Sequence, residues 1–439
     1  LHSTSRRQRQ MCIRDSRETL VIGAGAAGLN CALHLPAPSD VLVLCKGGLK
    51  ESDSFLAQGG ICVLHDPDDA AGYFEDTMRA GHYENNPDTV RCMIEHSRET
   101  IDELITFGVR FAREENGELA YTREGAHSRP RIVFHADCTG KEITSHLLAA
   151  AQKRTNIELR SYTTMLDLLF DDGGTCLGAA VRDNRSGEVS LIYAGNTVLA
   201  TGGVGGLFAH STNYRILTGD GVGAALAHGV AADHLDYVQF HPTTLYTKRR
   251  GRRFLISESV RGEGAQLLNA AGERFVDELL PRDVVTAAIC KEMAKEGSDH
   301  VRLDLRTVRG GEHTLEKHFP GILHRCRKEG YDVLREPVPV VPAQHYFMGG
   351  VRSDLAGRTT APHLYAVGET CCNGVHGRNR LASNSLLEAL IFARRAAQDI
   401  TDGGRAKGKT VWDYTQKEIA AMQRARRRLV TQETHHESE

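Results

Sequence analysis

The first apolar run, "TLVI" from Thr19 to Ile22, breaks at the glycine-rich turn "GAGAAGL" and passes into a helix-spaced stretch carrying Leu29, Leu33 and Leu35. A second apolar strand, "VLVLCK" from Val41 to Lys46, follows. This order predicts a strand, turn, helix and strand opening a parallel sheet. Amphipathic spacing predicts helices from Pro87 to Phe107 and from Lys141. Short alternating runs between Ile157 and Ala200, broken by "DDGG" and "NRSGE", predict hairpin strands of a smaller sheet. "NTVLATGG" returns to a buried strand, and Thr218 to Val230 reads as a helix of small residues.

From Gln239 to about Gln344 the texture turns basic and loop-rich, ending in "REPVPVVPAQHY". Pro337, Pro339 and Pro342 are unsuited to a helix or a central strand. The earlier pattern resumes at "HLYAVGE". An α/β fold with an α+β cap accounts for this: a Rossmann-like nucleotide-binding domain at 18–235 and 346–403, interrupted by a smaller capping domain at 236–345. Residues 1–17 read as a disordered or non-native leader, and 404–439 as a helical remnant (Val411 to Leu429) with a disordered tail.

Composition narrows the function classes. A net charge of −2 over 439 residues offers no global field for nucleic acid or anionic lipid, so anion recognition must be local. No apolar run approaches the ~20 residues that span a bilayer. Eleven cysteines without a CxxC pair point to a reduced, cytoplasmic setting with no iron–sulfur cluster, and no metal site is read.

Gly23, Gly25 and Gly28 form G-x-G-x-x-G between strand and helix, where backbone N–H groups meet a pyrophosphate. The acidic ribose ligand of an NAD site is missing; Cys45-Lys46 stands there, leaving Lys46 to contact the nucleotide. Further glycines in "SDSFLAQGGI" and "LYAVGETCCNGVHGRNRLASNSLLEAL" aim a second distant segment at one long ligand, which suggests FAD. The stretch "TREGAHSRPR" sets Arg123, His127, Arg129 and Arg131 around one carboxylate, Glu124.

The stretches "GAGAAGL", "AQGGI", "ATGG", "TGDG", "QFHPT", "SESVRGEG", "PRDVV", "AQHYFMGG" and "HGRNRLASNSLLE" resemble, in order, the fumarate reductase, succinate dehydrogenase and L-aspartate oxidase flavoprotein family. The resemblance runs from about Leu20 to Arg395 and implies a Rossmann-like FAD-binding domain. It implies FAD contacts from Gly23, Ala24, Gly25, Ala26, Ala27, Gly28, Lys46, Asp53, Ser54, Ala57, Gln58, Gly59 and Gly60, and from Asp220, Glu369, Ser385 and Leu386. Asp53 stands where covalently flavinylated members carry histidine, which implies non-covalent FAD.

Within the family "REGAHS" resembles the "REGGHS" of the aspartate-oxidising branch, with Ala126 as a departure. That branch ends in a longer helical domain, of which about one helix is expected here. The resemblance implies oxidation of L-aspartate to iminoaspartate, the first step of de novo NAD synthesis, with oxygen or fumarate as acceptor and quinolinate synthase as a transient partner. It names His241, Ser257, His345 and Arg380 as carboxylate ligands, Arg282 as proton shuttle, and Glu258 with Arg261 as its neighbours. Glu124 complements the ammonium that distinguishes aspartate from succinate. The alternatives are a fumarate reductase or succinate dehydrogenase flavoprotein subunit, or an FAD-binding module without catalysis.

Overall fold

The computed structural model describes residues 15–248 and 251–403. The expected tail helix from Val411 to Leu429 lies outside the described residues. The first strand, Asp15–Ile22, begins three residues inside the stretch read as a leader, and its Asp15 to Arg17 pair in register with Ile192 to Ala194.

One seven-stranded sheet organises the nucleotide-binding part. Its parallel half runs Ile157–Arg160, Val41–Leu44, Asp15–Ile22 and Val189–Leu199. The strand Val189–Leu199 is long enough to divide its other edge: Val189 to Tyr193 pair with Cys176–Asp183, and Thr197 to Leu199 pair in parallel with Leu364–Ala366. The hairpin strands expected to form a smaller sheet therefore extend the main one, with Thr163–Phe170 at its edge. The same split brings the resumed segment at "HLYAVGE" into this sheet, one strand away from the opening strand. Alternating side chains of the strands face two buried clusters, one on each side of the sheet.

The helix Ala26–His34 packs against the last described helix, Asn384–Asp402, and Asn30 Nδ2 donates to Leu390 O at 2.8 Å. The helix expected from Pro87 to Phe107 is two, Pro87–Glu95 and Ser97–Thr106, parted at His96. Between residues 238 and 347 lies an antiparallel sheet, ordered Val238–Leu245, Val338–Phe347, Val301–Asp304 and Gln266–Leu268, over a separate apolar cluster. This segment is more regular than its loop-rich sequence predicts.

Contrary to expectation, Pro339 and Pro342 both sit in a strand with partners on both sides. Pro339 loses only a donor, since its carbonyl accepts from Tyr246 N at 2.9 Å. Pro342 falls at a bulge, where the pairing steps from His241↔Ala343 to Thr244↔Val341. Among the described residues no helix is long and apolar enough to cross a membrane, and no group of three or more His, Cys, Asp or Glu could hold a metal.

Candidate active site

Two irregularities in the pairing of Val238–Leu245 with Val338–Phe347 build the site. Besides the bulge after His241, the pairing steps from Gln239↔Tyr346 to Phe240↔Gln344, leaving His345 as the extra residue. Bulges re-aim side chains out of the regular alternation. Here they bring the His241 and His345 rings to 5.1 Å between centroids, edge to face.

Both histidines line a cleft of about 1710 Å³, counting the space open to solvent. Its walls bring together the expected Gly23, Ala24, Gly25, Ala26, Ala27, Lys46, Asp53, Ser54, Ala57, Gln58, Gly59, Gly60, Asp220, Glu369, Ser385 and Leu386. Glu124, His241, Ser257, Glu258, Arg282, His345 and Arg380 line the same space.

Gly28 does not. A Cβ there would lie 1.9 Å from Gly23 O, so its lack of a side chain lets the helix pack on the turn rather than admitting a ligand. A Cβ on Gly23, at φ +125, would come equally close to Ala200 O of "ATGG". The helix at Ala26 opens without a side-chain cap, which leaves N–H groups for an anion. Ala26 N is not among them, since it donates to Ser54 Oγ at 3.0 Å. Lys46 Nζ bonds Thr218 Oγ1 and Asp220 Oδ2, each at 2.9 Å.

Buried polar atoms without a partner mark what the cleft is built to hold. Among cleft residues these include Ser52 Oγ and Gln58 Oε1 on the nucleotide side, and His241 Nε2 and Arg380 Nε among the cations. Buried orphans of this kind call for a ligand. The residues present thus fit FAD beside a dicarboxylate. Burial pushes Asp53 up to about 7 and Glu369, with Asp53 nearby, up to about 8.

The cationic end is tightly bound together. Arg282 donates from Nε to Glu258 and from Nη1 to Gln239 Oε1 at 3.0 Å, while Arg261 Nη2 approaches Glu258 at 3.3 Å. Burial raises the Glu258 carboxyl, but the Arg282 and Arg261 charges outweigh it and leave it below its ordinary value. Burial and the arginine charges hold both histidines well below 6.5, so they are neutral; Thr212 Oγ1 pairs with His345 Nδ1 at 2.7 Å. Arg380 stacks over Tyr346 at 4.5 Å and reaches Ser385 Oγ at 3.0 Å. Burial, then the Arg282 charge, lowers it to about 10. Ser257 caps the helix Glu258–Gly262.

Glu124 differs from Glu258. It is buried, and its two oxygens accept from Ser259 Oγ and Ser383 Oγ, each at 2.6 Å. Its basic neighbours in sequence do not reach it: Arg131 is fully buried and bonded to Asp69 and Asp76, and the exposed Arg129 leans toward Asp69. Sequence reasoning missed Gln239, Ser259, Ser383 and Tyr346 as site residues. All four lie within quoted motifs, but the partner that the two serines share is more than a hundred residues away from each.

Residues 18–386 match a family model described as "FAD binding domain". The L-aspartate oxidase of Clostridium perfringens is 48% identical over 87% of this chain and 86% of its own length. That of Pseudomonas aeruginosa is 43% identical, covering 91% and 78%. An E. coli quinol fumarate reductase superposes with a TM-score of 0.85 at 31% identity, over 93% of this chain and 73% of that one. Mycobacterium smegmatis Sdh1 gives 0.77 at 31%, over 94% and 72%.

Proposed function

Because the chain belongs to the L-aspartate oxidase family, built on the FAD binding domain, it is an FAD-dependent oxidoreductase of NAD biosynthesis, and we propose how its residues act. Its reaction is oxidation of L-aspartate to iminoaspartate. Bound in the cleft, FAD supplies the two-electron redox chemistry. Every other requirement falls to the chain.

His241, His345 and Arg380 hold the two carboxylates, with neutral imidazoles donating hydrogen bonds and the arginine supplying charge, while Ser257 lines the same space with its hydroxyl hydrogen turned to Ser259. Glu124 receives the α-ammonium. The observation that carries this reading is a buried carboxylate held only by hydroxyls, in the same cleft as His241, His345, Arg282 and Arg380. Arg282 moves the substrate proton, and Glu258, Arg261 and Gln239 hold its guanidinium in place. The glycine-rich turn, Lys46 with Asp220, and Asp53, Gln58 and Glu369 hold FAD without a covalent bond.

Fumarate or oxygen serves as acceptor, the former supported by the likeness to a fumarate reductase. Residues 236–345 act as a cap over the 18–235 and 346–403 unit. The enzyme works in the cytoplasm and hands its labile product to a transiently bound quinolinate synthase. The test is stoichiometry: each L-aspartate consumed should release one ammonia and one oxaloacetate after imine hydrolysis, with one fumarate or oxygen reduced. Turnover of succinate without L-aspartate turnover would sink the reading.

A further inference from the structure

Two buried glutamates face this cleft and are treated in opposite ways. Glu258 is paired with Arg282 and Arg261. Glu124 has no Lys, Arg or His within ion-pair distance among the described residues, and each of its oxygens meets one serine hydroxyl. We infer that Ser259 is a positioning residue for Glu124 that sets the preference for an ammonium-bearing dicarboxylate over the unsubstituted one. This rests on the proposed role of Glu124.

The hydroxyls form a directed chain. Ser259 N donates to Ser257 Oγ at 3.3 Å, which turns the Ser257 hydrogen toward Ser259 Oγ at 3.1 Å. With its acceptor side engaged, Ser259 commits its own hydrogen to Glu124 Oε1 at 2.6 Å. Ser383 does the same at Oε2 from the loop before the helix Asn384–Asp402. Two donors, one per oxygen, fix the plane of the carboxylate and favour its charged form without neutralising it. An arginine in either place would fix Glu124 equally well and cancel the charge that the ammonium needs.

The surroundings make these donors necessary. Burial and the charge of Glu258 both raise the Glu124 carboxyl; Ser259, Ser383 and Arg282 pull it back, yet it remains above its ordinary value. Arg261 and the Cys62 thiol also face it. Space is reserved as well: a Cβ on Gly59 would lie 2.7 Å from Glu124 Oε1. Removing Ser259 leaves one oxygen free to rotate and the charge less favoured.

The test compares holoenzyme variants Ser259→Ala, Ser259→Thr and Glu124→Gln. The KM for L-aspartate is measured between pH 6.5 and 8.5, and succinate affinity by perturbation of the flavin absorbance. Ser259→Ala should raise the L-aspartate KM about tenfold at pH 6.5, the size of one hydrogen bond to a charged group. The defect should shrink as pH rises, because burial already holds the Glu124 carboxyl above its ordinary value and the variant loses a donor, with succinate affinity changed less than about twofold. Threonine should restore selectivity. Equal loss for both ligands, or wild-type behaviour at every pH while Glu124→Gln is impaired, would overturn the role of Ser259. If Glu124→Gln itself left L-aspartate binding intact, the reading of Glu124 beneath it would fail.

Discussion

Arg282 opens the helix Arg282–Glu296 and donates through Nε to Glu258, which opens the short helix Glu258–Gly262. Both side chains are buried, 6% and 2% exposed, so neither charge has water to fall back on. Gln239 takes a second face of the guanidinium. The arrangement fixes the one cation assigned to proton transfer against a carboxylate kept ionised by its arginine neighbours.

Arg282→Leu should therefore lower L-aspartate oxidation and fumarate reduction together, by more than about 100-fold. Stranding Glu258 should also cost about 3 kcal/mol of stability, read from denaturant unfolding. FAD stoichiometry should stay near that of the wild type. Loss of flavin with activity restored by added FAD would contradict the catalytic assignment.

Glu124→Gln keeps the shape and removes the charge. Its amide can still bond Ser259 and Ser383, so the fold should hold. Aspartate oxidation should fall at least about tenfold, a cost of about 1.4 kcal/mol, while fumarate reduction is largely kept. Parallel steady-state assays with the two substrates check this, and equal losses would make Glu124 structural.

Ala126 adopts φ +64, a left-handed conformation that costs L-residues roughly 1–2 kcal/mol. Its N–H is held by Leu279 O at 2.7 Å, so the backbone cannot relax freely. Ala126→Gly relieves the strain and gives back part of it as unfolded-chain entropy. The expected net gain is about 0.5–1 kcal/mol in denaturant unfolding, with activity retained.

Buried Glu388 accepts from Asn373 Nδ2 at 2.7 Å, and burial pushes its carboxyl up from 4.5 to about 7. A raised carboxyl contributes stability that is full below about 4.5 and is lost as pH rises through about 7. Glu388→Gln should flatten the fall in unfolding free energy across that window. An unchanged slope would show that Glu388 is already ionised at pH 5.

The motifs made the chemistry legible because each carries its own local geometry: a turn and helix at Gly23 to Gly28, a cap at Ser257, a helix start at Arg282. Glu124 stood out as a lone anion, but its serine partners lie 135 and 259 residues away, and sequence spacing holds no distances. The sheet was misjudged between Ile157 and Ala200 because alternation shows which face is apolar, not which strand is the neighbour. The prolines near His345 argued against a strand, yet the bulge that tolerates Pro342 is part of what aims His241 into the cleft. Gly28 matched its motif and serves packing instead.

The most direct measurement is anaerobic bleaching of the flavin in the purified holoenzyme. L-aspartate should bleach it fully, succinate and D-aspartate should not, and Glu124→Gln should slow the L-aspartate reaction at least about tenfold. Bleaching by succinate but not by L-aspartate would contradict an amino-acid oxidase built around Glu124.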